Sequence, residues 1–106
     1  MATEQQWTDY AAAKVAMIQS GLGEFHESLM PGGQNYGPCL YSTLTITVES
    51  DAEVAELALP YVELSLELKA SVRVDPLLST GRIDIRLAKH FDLTPEEYEQ
   101  QLALRN

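Results

Sequence analysis

The sequence has few cysteines, few basic residues and no long apolar run, and each shortage excludes a class of protein. A single cysteine, Cys39, excludes an intrachain disulfide and is typical of a reducing, cytoplasmic location. No apolar run approaches the ~20 residues that a membrane-spanning helix needs. The first residues, Met1 to Glu4, lack the basic patch and apolar stretch of a secretory signal. We therefore expect no membrane association.

Basic residues are absent from the whole middle of the chain. The sequence has 16 acidic residues against 7 lysines and arginines, for a net charge of −9 and a pI near 4.4. Residues 15–68 contain eight acids and no lysine or arginine, whereas acids and bases balance in residues 69–106. Such an excess opposes direct binding to nucleic acid, and it creates a negative field that attracts basic proteins.

The rest of the composition is that of an ordinary globular protein. Hydrophobic residues make up 45% and charged residues 22%, and the length predicts one compact acidic domain over residues 1–106. Helical periodicity predicts an amphipathic N-terminal helix over about 4–20. A C-terminal helix is predicted from a capping box, in which Thr94 precedes Pro95 and Glu97 closes the box. Together with the strands described next, these two helices predict a protein of the α+β fold class.

The strands are predicted from alternating apolar and polar residues. The clearest alternation predicts a strand over 40–49, and a weaker one predicts a short edge strand over 24–30. Residues 83–87 alternate as well and are expected to form a hairpin with 61–74, through a turn over 75–81. These segments predict a three- to four-stranded, mostly antiparallel sheet.

The middle of the chain has two interpretations. Apolar residues at helical spacing predict a short helix over 51–59, which Pro60 would end. Beyond it, apolar residues occupy alternate positions without a break, and this period predicts the strand over 61–74. Leucine, glutamate, lysine and alanine favour helix, so one continuous helix over 51–72 is the alternative.

Two features are typical of a protein-binding surface. Three glycines and two prolines in residues 31–38 predict an irregular loop that presents Tyr36 as an aromatic anchor. Four carboxylates cluster at the predicted junction between the long strand and the middle helix: Glu49, Asp51, Glu53 and Glu56. Because carboxylates form charge-assisted hydrogen bonds with arginine and lysine, we predict that these five residues bind a basic protein surface.

These features favour a non-enzymatic protein-binding module. In its most concrete form, the protein is a small acidic inhibitor that blocks the basic, nucleic-acid-binding surface of a partner, with carboxylates in place of DNA phosphates. Small acidic inhibitors that viruses direct against host defence or repair proteins have this size and charge. The alternative is a homodimeric structural or adaptor subunit that pairs through an edge strand or an exposed apolar face.

A small enzyme is the remaining, remote alternative. Cys39 with His26 or His90, oriented by Asp92 or Glu27, would form a thiolate–imidazole pair. No local signature of a cysteine nucleophile surrounds Cys39, and the spacing of the cysteine and histidines fits no common zinc site. The glycine-rich loop lacks the lysine of a phosphate-binding loop. We therefore expect no catalytic residue, no cofactor and no metal.

Overall fold

The computed structural model describes residues 2–77 and 79–105, which form three helices and four strands. In chain order these elements are α1 Glu4–Gln19, β1 Glu24–Met30, β2 Cys39–Val48, α2 Asp51–Leu68, β3 Ser71–Leu77, β4 Arg82–Asp92 and α3 Pro95–Arg105. The predicted α+β class is confirmed, with a helix at each end of the chain. None of the helices in the described residues is long and apolar enough to cross a membrane.

The four strands form one antiparallel sheet in the order β1-β2-β4-β3. Its register aligns apolar side chains across all four strands. Leu44 of β2 lies opposite Phe25 of β1 and Leu87 of β4, and Leu87 in turn lies opposite Val72 of β3. Because successive side chains of a strand point to opposite faces, these apolar residues share one face of the sheet.

All three helices pack against this apolar face. Met17 of α1 and Tyr61 of α2 are fully buried in the same cluster as Leu44. Tyr98 of α3 packs against a second cluster that contains Leu40, which lies four residues from Leu44 on β2 and therefore on the same face. In the part of the chain that the structure describes, the opposite face of the sheet carries no helix.

The predicted end of the middle helix at residue 59 is wrong, because α2 continues through Pro60 without a break. The predicted strand over 61–74 is therefore wrong for residues 61–68, whereas its last residues, 71–74, do lie in β3 and form the predicted hairpin with β4. The alternative of one helix over 51–72 is closer, although α2 ends at residue 68. Proline lacks the N–H that would bond the carbonyl of Glu56, four residues earlier. Glu56 is exposed, so water can bond that carbonyl, and the strong helix formers around it outweigh the loss.

The alternation that predicted a strand has a different origin. Leu64 and Leu68 of α2 pack against the core, whereas Val62 and Leu66 point outward and are 42% and 76% exposed. The alternate positions are therefore apolar for two separate reasons. Half of them build the core, and the other half leave apolar surface on the outside of α2.

The end of α2 is a left-handed turn at a residue other than glycine. Lys69 has φ 54° and ψ 45°, and the N–H of Ala70 donates to the carbonyl of Ser65 at 2.9 Å. The chain then enters β3 at once. The predicted start of the following turn is wrong, because Asp75 and Pro76 belong to β3. Proline is tolerated there because β3 is an edge strand of the sheet.

The start of the C-terminal helix was predicted correctly. The N–H of Glu97 donates to Thr94 Oγ1 at 3.2 Å, and the N–H of Thr94 donates to Glu97 Oε1 at 2.9 Å. Glu97 Oε2 also accepts a hydrogen bond from the N–H of Ala2 at 3.3 Å. Leu93 and Tyr98 lie in one apolar cluster on either side of this capping box.

Candidate functional site

The five predicted partner-binding residues lie at opposite ends of β2. Tyr36 precedes the strand, and Glu49 follows it directly. A strand of 10 residues separates the two ends by about 30 Å. Tyr36 is 66% exposed, in agreement with its prediction as an accessible aromatic residue. The structure nevertheless does not bring it together with the four carboxylates.

The four predicted carboxylates do not share one surface either. Glu49 lies 3.8 Å from Arg82, in an ion pair whose side chains are both well exposed. Asp51 and Glu53 occupy the first turn of α2, where carboxylates suit the positive end of the helix dipole. Because each residue turns a helix by about 100°, Asp51 and Glu53 point in nearly opposite directions. Only Glu53 and Glu56 share one side of the helix.

Glu53 and Glu56 belong to a longer row of glutamates that the sequence analysis missed. Glu63 and Glu67 continue the row, and all four side chains fall within about 80° of one another around α2. They are exposed and extend over roughly 21 Å of the helix axis. We call Glu53, Glu56, Glu63 and Glu67 the acidic flank. The row emerges only when residues 61–68 are helical, so predicting a strand there concealed it.

No basic side chain in the described residues forms an ion pair with the acidic flank. Five bases form ion pairs with other carboxylates: Lys14, Arg73, Arg82, Arg86 and Arg105. Lys89 donates a hydrogen bond of 2.7 Å to the carbonyl of Leu68 at the end of α2. Lys69, the remaining base, is exposed beside Glu67 and reduces the negative field only at that end of the acidic flank. Along the rest of α2 the field extends into solvent.

An exposed apolar stripe lies next to the acidic flank on the same helix. Leu59, Val62 and Leu66 are 62%, 42% and 76% exposed, and their spacing places them on one side of α2. We call these three residues the apolar stripe. Single exposed apolar residues are normal on a protein surface, whereas a row of them indicates a contact surface. Val74, 46% exposed, lies on edge strand β3 and on the face of the sheet that α2 covers.

Glu27 joins β1 to α1 and α3 through hydrogen bonds and ion pairs. Its Oε2 accepts hydrogen bonds from the Tyr10 hydroxyl at 2.9 Å and from Lys14 Nζ at 3.0 Å, and its Oε1 accepts one from Arg105 at 2.7 Å. Burial alone would raise the pKa of Glu27, but these three donors outweigh it and hold the pKa below its ordinary value. Glu27 lies on the helix-bearing face of the sheet, so it cannot orient a group beside Cys39 on the other face.

Cys39 does not have the environment of a nucleophile. Its side chain is buried, and burial together with the charge of Asp92 raises the pKa of the thiol. A nucleophilic cysteine needs a lowered pKa instead. The ring of His90 packs against Tyr41, with 4.6 Å between ring centroids. His26 lies opposite Thr43, four residues along β2 from Cys39.

The described residues contain no cluster of metal ligands, and the chain matches no known protein. Across residues 2–77 and 79–105, no three histidine, cysteine, aspartate or glutamate side chains lie close enough together to hold a metal ion. Comparisons with protein-family models, curated proteins and solved structures find no match to this chain. The outer surface of α2, with the acidic flank beside the apolar stripe, is the most distinctive chemical feature of the described residues.

Proposed function

We propose that the protein is a non-enzymatic binding module that holds a basic partner protein against the outer surface of α2. One observation carries the proposal. The acidic flank and the apolar stripe lie side by side on a helix of 18 residues, and both are exposed. A surface that was merely solubilising would have no need of the apolar stripe.

The two parts of this surface contribute differently to binding. Covering Leu59, Val62 and Leu66 stabilises a complex by roughly 1–2 kcal/mol for each side chain. The glutamates of the acidic flank contribute mainly to the association rate and to specificity, because charges steer the encounter and exclude acidic competitors. The partner that fits is a protein with an apolar groove bordered along one side by arginine and lysine.

The inhibitor of a nucleic-acid-binding protein is the most concrete form of this proposal. Lysine and arginine that otherwise contact phosphates would meet the acidic flank instead. The four carboxylates extend over roughly 21 Å, enough to cover several such contacts. A cytoplasmic site of action belongs to the same proposal, because Cys39 is a free thiol. In size and charge, such an inhibitor would be analogous to the small acidic proteins that viruses direct against host defence.

The proposal is tested by comparing three baits in an affinity capture from host lysate. The first is the wild type, and the second carries glutamine at all four positions of the acidic flank. The third is a control that neutralises four other exposed glutamates and therefore has the same net charge: Glu4, Glu24, Glu96 and Glu99. Captures are compared at roughly 0.1 M and 0.5 M salt, because screening at the higher salt shortens the reach of charges to a few Å.

We expect the wild type and the control to retain the same basic protein, and we expect the acidic-flank variant to lose it. High salt should weaken this capture steeply. A further variant, Leu59→Gln with Leu66→Gln, should also lose the partner, at either salt concentration. Equal retention by the acidic-flank variant would contradict the proposal, as would equal loss from the control. Far-UV circular dichroism of each variant establishes that the fold is intact.

A homodimeric subunit is the second candidate function, and edge strand β3 favours it. If two copies of β3 paired antiparallel about Val74, Arg73 of each copy would lie opposite Asp75 of the other on the open face. The exposed Val74 side chains would meet on the helix-bearing face. Light scattering during size exclusion tests this candidate: Val74→Lys should dissociate such a dimer, whereas the four glutamines in the acidic flank should leave it intact.

A further inference from the structure

A cleft of about 340 Å³ opens on the face of the sheet that carries no helix. Its floor consists of two rows of side chains across the strands. Met30, Cys39 and Asp92 lie opposite one another in the first row, and Tyr41 and His90 lie opposite each other in the next. The cleft is thus built on hydrogen-bonded strands rather than on mobile chain.

The glycine-rich loop over 31–38 forms the wall of this cleft and positions Tyr36 there. The N–H of Gly33 donates to the carbonyl of Tyr36 at 2.9 Å, and the ring of Tyr36 lies directly over Gly33. A Cβ at Gly32, which has φ 83°, would lie 2.7 Å from the carbonyl carbon of Gly37. Glycine at these positions therefore lets the loop close tightly, with the aromatic ring at the rim.

The lining combines aromatic rings with a carboxylate. Tyr36, Tyr41 and His90 supply the rings, and Asp92 is exposed and forms no ion pair with any described base. The described lining contains no lysine or arginine. The negative charge of Asp92 acts within the cleft, since it contributes to the raised pKa of the neighbouring thiol, Cys39.

We infer that this cleft binds an organic cation of the alkylammonium or guanidinium class. The faces of tyrosine rings attract cations, and the carboxylate of Asp92 adds a full opposite charge beside them. An anionic ligand would be repelled by Asp92, and a neutral apolar ligand would remove water from that carboxylate without replacing it. The cleft and α2 lie on opposite faces of the sheet, so this inference is independent of the proposed function.

Titration of the ¹⁵N-labelled protein with three probes tests the inference. The probes are choline, N-acetyl-arginine amide and 3,3-dimethyl-1-butanol, which has the shape of choline without its charge. We expect both cations to shift the amide signals of Tyr36, Tyr41 and Asp92 saturably, and we expect the neutral alcohol to bind at least several-fold more weakly. Tighter binding of choline would identify the natural ligand as a free quaternary amine. Tighter binding of the arginine amide would identify it as an arginine side chain.

Two variants and two controls assign the binding to the cleft. Tyr36→Leu and Asp92→Asn should each weaken cation binding by about 2- to 30-fold, the range expected for one cation–π or exposed charge contact. Tyr36→Phe keeps the ring face and should retain binding, and Asp51→Asn removes an exposed carboxylate elsewhere and should change nothing. Equal affinity for the neutral alcohol, or no shift with any probe up to about 50 mM, would overturn the inference.

Discussion

Replacement of Glu27 tests whether its buried hydrogen-bond network stabilises the fold. The carboxylate accepts bonds from Tyr10 and Lys14 of α1 and from Arg105 of α3, and its own side chain is only 14% exposed. Lys14 and Arg105 are 32% and 39% exposed, so water screens both ion pairs and we assign each about 0.5–1 kcal/mol. The tyrosine bond adds about 1 kcal/mol. We expect Glu27→Ala to cost about 2–3 kcal/mol and Glu27→Gln, which keeps one acceptor, about 1–2 kcal/mol.

The loss of stability on replacing Glu27 should decrease as the pH falls. The pKa of Glu27 is lower in the folded protein than its ordinary value of 4.5, because the three donors outweigh burial. A lowered folded-state pKa contributes stability that is complete above the ordinary pKa and is lost as the pH falls through the folded-state pKa. The difference in unfolding free energy between wild type and Glu27→Gln should therefore be largest at neutral pH and should shrink below pH 4.5.

Urea unfolding followed by far-UV circular dichroism measures this difference at neutral pH and at about pH 3. Glu24→Gln is the matched control, since Glu24 lies on the same strand and is exposed. The control should change stability by less than about 0.5 kcal/mol. The reasoning fails if Glu27→Gln matches the control at neutral pH, or if its effect is as large at pH 3 as at neutral pH.

Three further substitutions, one of them with a control, test the backbone and the caps, each by urea unfolding. Gly23→Ala should destabilise by about 1–3 kcal/mol, because its Cβ would lie 2.5 Å from the Thr45 carbonyl oxygen; Gly37→Ala, with open space around it, should be nearly neutral. Lys69→Gly should stabilise by about 1 kcal/mol, because glycine adopts the left-handed conformation without strain; a loss of stability would contradict this. Glu97→Gln should lower the unfolding free energy by about 0.5–1 kcal/mol at neutral pH and by less below pH 4.5. The reason is that the hydrogen bond from the Thr94 backbone to the Glu97 carboxylate lowers the Glu97 pKa in the folded protein. A loss that does not change with pH would contradict this expectation.

The helices α1 and α3 and the strand β2 were predictable because the sequence signals for them are local. The capping box of Thr94 and Glu97 needs only four consecutive residues, and the same atoms form it in the structure. The middle segment was not predictable in this way, because two local signals conflicted. Pro60 and the alternation favoured a strand, whereas residue propensities favoured a helix, and the burial of Tyr61 in the core accompanies the helical outcome.

The candidate sites were predictable only in part, because they depend on which segments are helical. The exposure of Tyr36 follows from its glycine-rich surroundings and is confirmed. The acidic flank requires Glu63 and Glu67 to be helical, so an incorrect strand assignment removed half of it. The cleft around Asp92 depends on the register of three strands, and the sequence contains no local sign of that register.

The strand order also has a consequence for how the chain folds. β1 with β2 and β3 with β4 are hairpins that close locally, but the sheet is completed only when β2 pairs with β4, across α2. That seam joins residues 39–48 to residues 83–92, so its contacts are distant in sequence and close slowly. We expect truncation of Leu44 or Leu87, both fully buried in the seam, to slow folding itself, while changes at the outer edges mainly accelerate unfolding. We expect α2, which connects β2 to β3, to hold the two hairpins near each other until β2 pairs with β4.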